Sequence, residues 1–226
     1  NVKNFQIHKI VEILDFLESL PIYNQYNLLS FQDEVIDFDL QQKIFFAIVG
    51  KRFLFEKLVE LFYLSPQEIN QDTKVLFVIH GNSRNAMGYL EKWIPFVKNK
   101  NVVVVAPLFT KESYRYFALL QSASSSGKIN KNSDDYLNNS ISLFFNFFKN
   151  KFLLSNNTYK MYGHSAGAQF THRYMLLGDD YRISNAVIAN AGWYTFLNGS
   201  KFPYGIQDAP INISSERVRW FMSSKT

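Results

Sequence analysis

The residues best placed to do chemistry are Gly163-His164-Ser165-Ala166-Gly167, which fit the pattern G-x-S-x-G. A β-rich run, "NTYKMYG", precedes the serine, and a helix-like run, "SAGAQFTHRYMLLG", follows from it. At a sharp strand-to-helix turn a serine is held in strained backbone geometry with its hydroxyl presented outward. Only small residues fit two positions before and after it, because strand and helix pack closely there. Ser165 is therefore the candidate nucleophile. It would stand at the start of its helix, where the backbone N–H of Ala166 faces a developing oxyanion with help from the helix dipole. The plainer reading is a glycine-rich turn with an idle serine.

A second block, "HGNSRNAMGY" (His80 to Tyr89), closes the apolar run "KVLFVIHG". Gly81 lets the chain turn, and the N–H of Asn82 would be a second oxyanion donor. His80 reads as a structural or pocket-floor residue, since it sits at the wrong strand end for a proton relay. His164 adjoins the serine and reads as shaping the turn or the pocket. A serine nucleophile also needs a base, and an acid to orient that base. His172 lies two helical turns beyond Ser165, roughly 10 Å along the axis, so it reads as a packed or surface histidine. Of the later acids, Asp179 and Asp180 fall at the far end of the helix. Asp208, in the loop beyond "AVIANAG", is retained as a candidate acid. Trp193, Tyr194 and Phe196 follow that segment at the face where ligands bind in open α/β sheets. They either line an apolar acyl pocket or serve as ordinary core aromatics.

These residues need a frame. Short apolar runs at 74–81, 101–107, 157–163 and 185–192 read as buried strands, and helical patterns separate them. Strand alternating with helix means βαβ units and a parallel sheet with covered faces. Residues 121–135 read as a polar, serine-rich loop. Upstream, "FQIHKIVEILDFLESL" and "DFDLQQKIFFAIVGKRFLFEKLVELFYL" read as helical, with His8 as an ordinary surface or packing histidine.

Composition narrows the class. The chain has 226 residues, 47% apolar and 19% charged, which suits a globular protein. Its net charge of +5 comes from scattered lysines and arginines, so no nucleic-acid footprint is read. Cysteine is absent, which excludes disulfides and thiolate chemistry. No apolar run reaches the roughly 18 residues that span a bilayer. The compartment is left open between cytoplasmic and secreted.

The blocks "HGNSRNAMGY", "YGHSAGAQFTHRY" and "ANAGWYTF…FPYG" resemble bacterial serine hydrolases related to polyhydroxybutyrate-depolymerase-like esterases, within the α/β-hydrolases. The resemblance covers about residues 72–207. It implies an α/β-hydrolase-like, mostly parallel sheet with flanking helices, C-terminally incomplete, with an N-terminal helical extension. The expected division is 1–70 for that extension and 71–226 for the hydrolase domain. Residues 1–70 would supply early strands, a lid or a partner-binding appendage. The strands that carry the family's acid and histidine are expected in a missing C-terminal segment or a second chain. The implied activity is esterase-like acyl hydrolysis of a small-molecule or polymer ester. Ser165 would attack, and Ala166 and Asn82 would stabilise the oxyanion. Gly163, His164, Gly167, His80 and Gly81 would shape the two turns. No metal or organic cofactor is implied. The alternative is an inactive binding protein on the same fold.

Overall fold

The computed structural model describes residues 28–35, 41–48, 58–97 and 99–223, with side chains from residue 59 onward. The strands are β1 (Leu28–Val35), β2 (Gln41–Ile48), β3 (Leu58–Leu64), β4 (Lys74–Ile79), β5 (Val102–Leu108), β6 (Tyr159–His164) and β7 (Ile183–Ala189). They form one sheet in the order β1-β2-β3-β5-β4-β6-β7. β4 runs parallel to β5 and β6, and β6 parallel to β7. The pairs β1–β2, β2–β3 and β3–β5 are antiparallel. The helices are α1 (Ala86–Glu91), α2 (Ile94–Val97), α3 (Ser140–Lys151), α4 (Ala166–Leu177) and α5 (Ser215–Ser223).

The sheet is buried on both faces near its centre. Val75, Phe77 and Ile79 of β4 join the larger core with Phe144, Phe145 and Phe148 of α3 and Phe170 and Tyr174 of α4. Val78, with Val104 and Ala106 of β5, joins the second core with Ala86 and Leu90 of α1. Burial on both sides is why these strands read as continuous apolar runs. α3 presents Ile141, Phe144, Phe145 and Phe148 to the sheet at the i, i+3, i+4, i+7 spacing of an amphipathic helix. α5 docks on the far end of α4 through the buried Arg217. Its guanidinium donates to the carbonyls of Met175 (3.3 Å), Asp180 (2.9 Å) and Gly178, which places a cation at the helix C-terminus.

The helical expectation for residues 37–64 is overturned. β2 and β3 occupy that stretch, β1 precedes them, and β3 bonds to β5, so these residues supply early strands to the sheet. The physical reason lies in β3. Val59, Leu61 and Tyr63 enter one core while Phe62 and Leu64 enter the other. A strand buried on both faces shows no polar alternation, and its apolar run can be fitted to helical spacing as easily. The same strands make the sheet mixed, where a mostly parallel one was expected. The expected first helix and His8 lie outside the described residues. The helical pattern after β4 breaks into two short helices at Trp93, with Pro95 in the first turn of α2 where its missing N–H is tolerated. No helix among the described residues is long and apolar enough to cross a membrane.

Candidate functional site

Ser165 stands between β6 and α4 with φ 58° and ψ −120°, a conformation that strains any residue bearing a Cβ. Its neighbours over-determine it. The Ser165 N–H donates to the Ala189 carbonyl at the end of β7 (2.9 Å). Its own carbonyl accepts from the N–H groups of Ala168 (3.0 Å) and Gln169 (3.2 Å), which starts the helix. The flanking glycines are required by contact. A Cβ on Gly163 would lie 2.2 Å from the Gly167 carbonyl oxygen, and one on Gly167 would lie 2.1 Å from that of Ile79. The strand and helix are thus as close as backbone allows. As a first-turn amide of α4, the Ala166 N–H has no intrahelical acceptor.

The turn after β4 lies beside this serine. A Cβ on Gly81 would come within 3.5 Å of the Ser165 Cβ and 2.9 Å of the Tyr89 hydroxyl. His80 is fully buried, with Nδ1 2.9 Å from the Gly81 carbonyl oxygen and Nε2 accepting the Phe109 N–H at 3.0 Å. Burial, ahead of the nearby Arg84 charge, pushes its pKa down to about 4. Both of its ring nitrogens are spoken for by backbone groups, and neither bonds Ser165. Arg84, at φ 60°, ties this turn to the loop after β5. It donates to the carbonyls of Phe109 (2.8 Å), Tyr114 (3.1 Å) and Arg115 (3.1 Å), and its guanidinium lies 4.0 Å above the Phe117 ring. Asn82, at the tip, is exposed.

His164 Nδ1 shares a 2.7 Å hydrogen bond with the Tyr89 hydroxyl, which holds α1 against the end of β6. His172 is buried, and its Nε2–H donates to the Thr195 carbonyl at 2.9 Å. Burial lowers its pKa. Among the described residues no histidine hydrogen-bonds the Ser165 hydroxyl. Asp208 sits exposed in a left-handed turn at φ 57°, with no histidine bonded to it among the described residues. Asp180 pairs with Arg182 and accepts from the Tyr159 hydroxyl, away from the serine. No described cluster of His, Asp and Glu is placed to hold a metal.

Tyr194 and Phe196 line an apolar groove of about 600 Å³ along β7, with His172, Val187 and Phe221. Trp193 packs against the core instead, 4.9 Å from the Tyr204 ring and beneath the Arg173 guanidinium at 4.2 Å. Arg173 has no signal in the sequence. It is fully buried on α4, donates to Thr195 Oγ1 (3.0 Å) and the Ala118 carbonyl (2.9 Å), and leaves Nη2 without a partner. Desolvation lowers its pKa to about 9. Tyr89 and Arg84 were also missed, because each acts on a residue brought near only by the fold.

A mixed sheet flanked by helices, with a serine at the turn from β6 to α4, is the α/β-hydrolase fold. Among solved structures, poly(aspartic acid) hydrolase-1 from Sphingomonas sp. KT-1 is similar at 27% identity, over 90% of this chain and 70% of that one, with a TM-score of 0.68. The poly(3-hydroxybutyrate) depolymerase LpqC from Bordetella parapertussis matches at 22% identity, with the same TM-score of 0.68, over 80% of this chain. The match spans 61% of the depolymerase's length. Neither a family profile nor a curated protein sequence matches the chain.

Proposed function

We propose that the protein is a serine hydrolase that cleaves acyl bonds, with an ester in a small molecule or a polymer as substrate. Ser165 Oγ attacks the carbonyl carbon and its proton passes to a base. The N–H groups of Ala166 and Asn82 stabilise the oxyanion. Collapse of the tetrahedral intermediate expels the alcohol, which takes up that proton, and water then hydrolyses the acyl-serine. The base and its orienting acid come from outside the described residues, as a further segment or a second chain. Tyr194 would wall the acyl side.

The observation that carries this reading is the strained Ser165 backbone, held in a slot that admits no side chain at Gly163 or Gly167. A polar residue with no task gains nothing from such strain, and its persistence points to function. The likeness to two polymer hydrolases supports a polymeric substrate. One observation favours a binding protein on this fold instead: no described histidine reaches Ser165.

Intact mass after incubation with a fluorophosphonate separates the two. Wild-type protein is expected to gain one adduct and the Ser165→Ala variant none. A folded wild-type sample that stays unlabelled sinks the hydrolase reading for this chain and leaves the binding protein.

A further inference from the structure

His80 does more than fill space, and the bonds on its ring say what. A backbone N–H can only donate, so Nε2, which faces the Phe109 N–H at 3.0 Å, is an acceptor. A neutral imidazole then carries its single proton on Nδ1, which donates to the Gly81 carbonyl at 2.9 Å. That carbonyl also accepts the Arg84 N–H at 3.2 Å. Two donors therefore hold one oxygen, and one of them belongs to a ring that is itself pinned by the end of β5. T-shaped and tilted contacts with Phe109 and Phe117 keep the ring from turning.

The peptide between Gly81 and Asn82 is planar and trans, so the Asn82 N–H points opposite to the Gly81 C=O. The oxygen is drawn inward to a buried ring. The N–H is turned the other way, on a turn whose Gly81 sits against Ser165. If this peptide turned over, a carbonyl oxygen would face the substrate where a donor is needed. A developing oxyanion would then meet the negative end of a dipole. We infer that His80 is a positioning residue: its Nδ1–H, by holding the Gly81 carbonyl, fixes the peptide so that the Asn82 N–H is presented to the oxyanion formed when Ser165 attacks. This rests on the serine-hydrolase reading of Ser165. His80 touches no substrate and moves no proton.

Two variants separate the role of Nδ1 from that of Nε2. His80→Asn keeps a donor at the δ position, and His80→Gln puts its amide near the ε position. The rate of fluorophosphonate labelling is measured for wild type and both variants, alongside urea unfolding of each. Loss of one oxyanion donor slows acyl chemistry by about 100-fold or more, so a loosened peptide is expected to slow His80→Gln by roughly 10- to 100-fold. His80→Asn is expected to recover most of that rate even where its stability is no better than that of His80→Gln. A role in packing alone would track stability and not the position of the donor. Equal rates for Asn and Gln, or wild-type rates in both, overturn the inference while leaving the hydrolase reading standing. An unlabelled wild type removes that reading and the inference with it. Should both variants fail to fold, the imidazole ¹⁵N spectrum of wild-type protein decides: a proton on Nδ1 upholds the arrangement, and a proton on Nε2 overturns it.

Discussion

The two sides of Ser165 are built differently. On the side of β4 and β5, polar groups are tied down: His80 uses both ring nitrogens, and Arg84 reaches three carbonyls. On the side of β7 the surface is open. Val187 is 52% exposed, Phe196 is 58% exposed, and an apolar groove runs beside them. Electrostatic stabilisation of an oxyanion requires dipoles fixed before the reaction, so a locked side suits donors. An open apolar side suits something that arrives, an acyl chain or the protein segment that brings the base. The contrast implies that substitutions at the turn and on the locked side cost far more than those on the open side.

The largest effect is expected at the turn itself. Gly163→Ala and Gly167→Ala each drive a methyl group into backbone carbonyls, at 2.2 and 2.1 Å. Neither carbonyl can move without breaking the strand or the helix. Each variant is expected to lose about 3–5 kcal/mol, a large share of a typical domain's stability of about 5–15 kcal/mol, by urea unfolding. Wild-type stability in either variant would show that strand and helix do not meet as described.

Acid should reveal the locked side next. The folded state holds His80 at a pKa of about 4, against an ordinary 6.5. The unfolded chain therefore binds its proton first, so the contribution is full above pH 6.5 and is lost as pH falls toward 4. The fall is on the order of 3 kcal/mol for a fully buried ring. His172, lowered by burial and by Arg173, acts in the same direction. Stability measured at pH 7 and pH 4.5 should drop less in His80→Asn than in wild type. Equal drops would mean that His80 is solvated or charged in the folded protein.

What the sequence disclosed follows from the range of the interactions. The G-x-S-x-G turn was legible because its constraint is local: two glycines and a serine within five residues fix it. The parallel strands were legible from short apolar runs bounded by glycine or proline. The bonds that lock the site were not. Phe109 to His80 spans 29 residues, Arg173 to Thr195 spans 22, and Tyr89 to His164 spans 75. Periodicity cannot report such pairings, and a lone arginine in an amphipathic helix looks like surface. β3 failed for the opposite reason, since burial on both faces erased its period. Asp208 is a candidate from its position alone, and its exposed turn gives no sign of a partner among the described residues.

Between the two sides lies Arg173, whose Nε bonds Thr195 Oγ1 while that hydroxyl donates to the Pro203 carbonyl at 2.7 Å. This relay pins the loop carrying Trp193 and Tyr194 to α4. Thr195→Val keeps the shape and removes both bonds, leaving the buried guanidinium with less satisfaction than it has. A loss of about 2 kcal/mol is expected from urea unfolding, because an unsatisfied buried donor retains its full desolvation penalty. A neutral result would mean that water reaches the guanidinium and that the loop is held by apolar contacts.

The smallest effect is expected on the open side. Val187→Thr keeps the β-branched shape and the strand propensity and only adds a hydroxyl. If the outer face of β7 is solvated in the working protein, stability should stay within about 0.5 kcal/mol of wild type. A loss above about 1.5 kcal/mol would mean that the hydroxyl is buried, since an unpaired buried hydroxyl is penalised by roughly that amount. That outcome would place a covering segment over β7 and erase the contrast between the two sides. The same substitution read in the labelling assay sharpens the point. If what covers β7 carries the base for Ser165, weakening its seat should slow labelling of Ser165, although residue 187 stands on a neighbouring strand and belongs to no part of the turn.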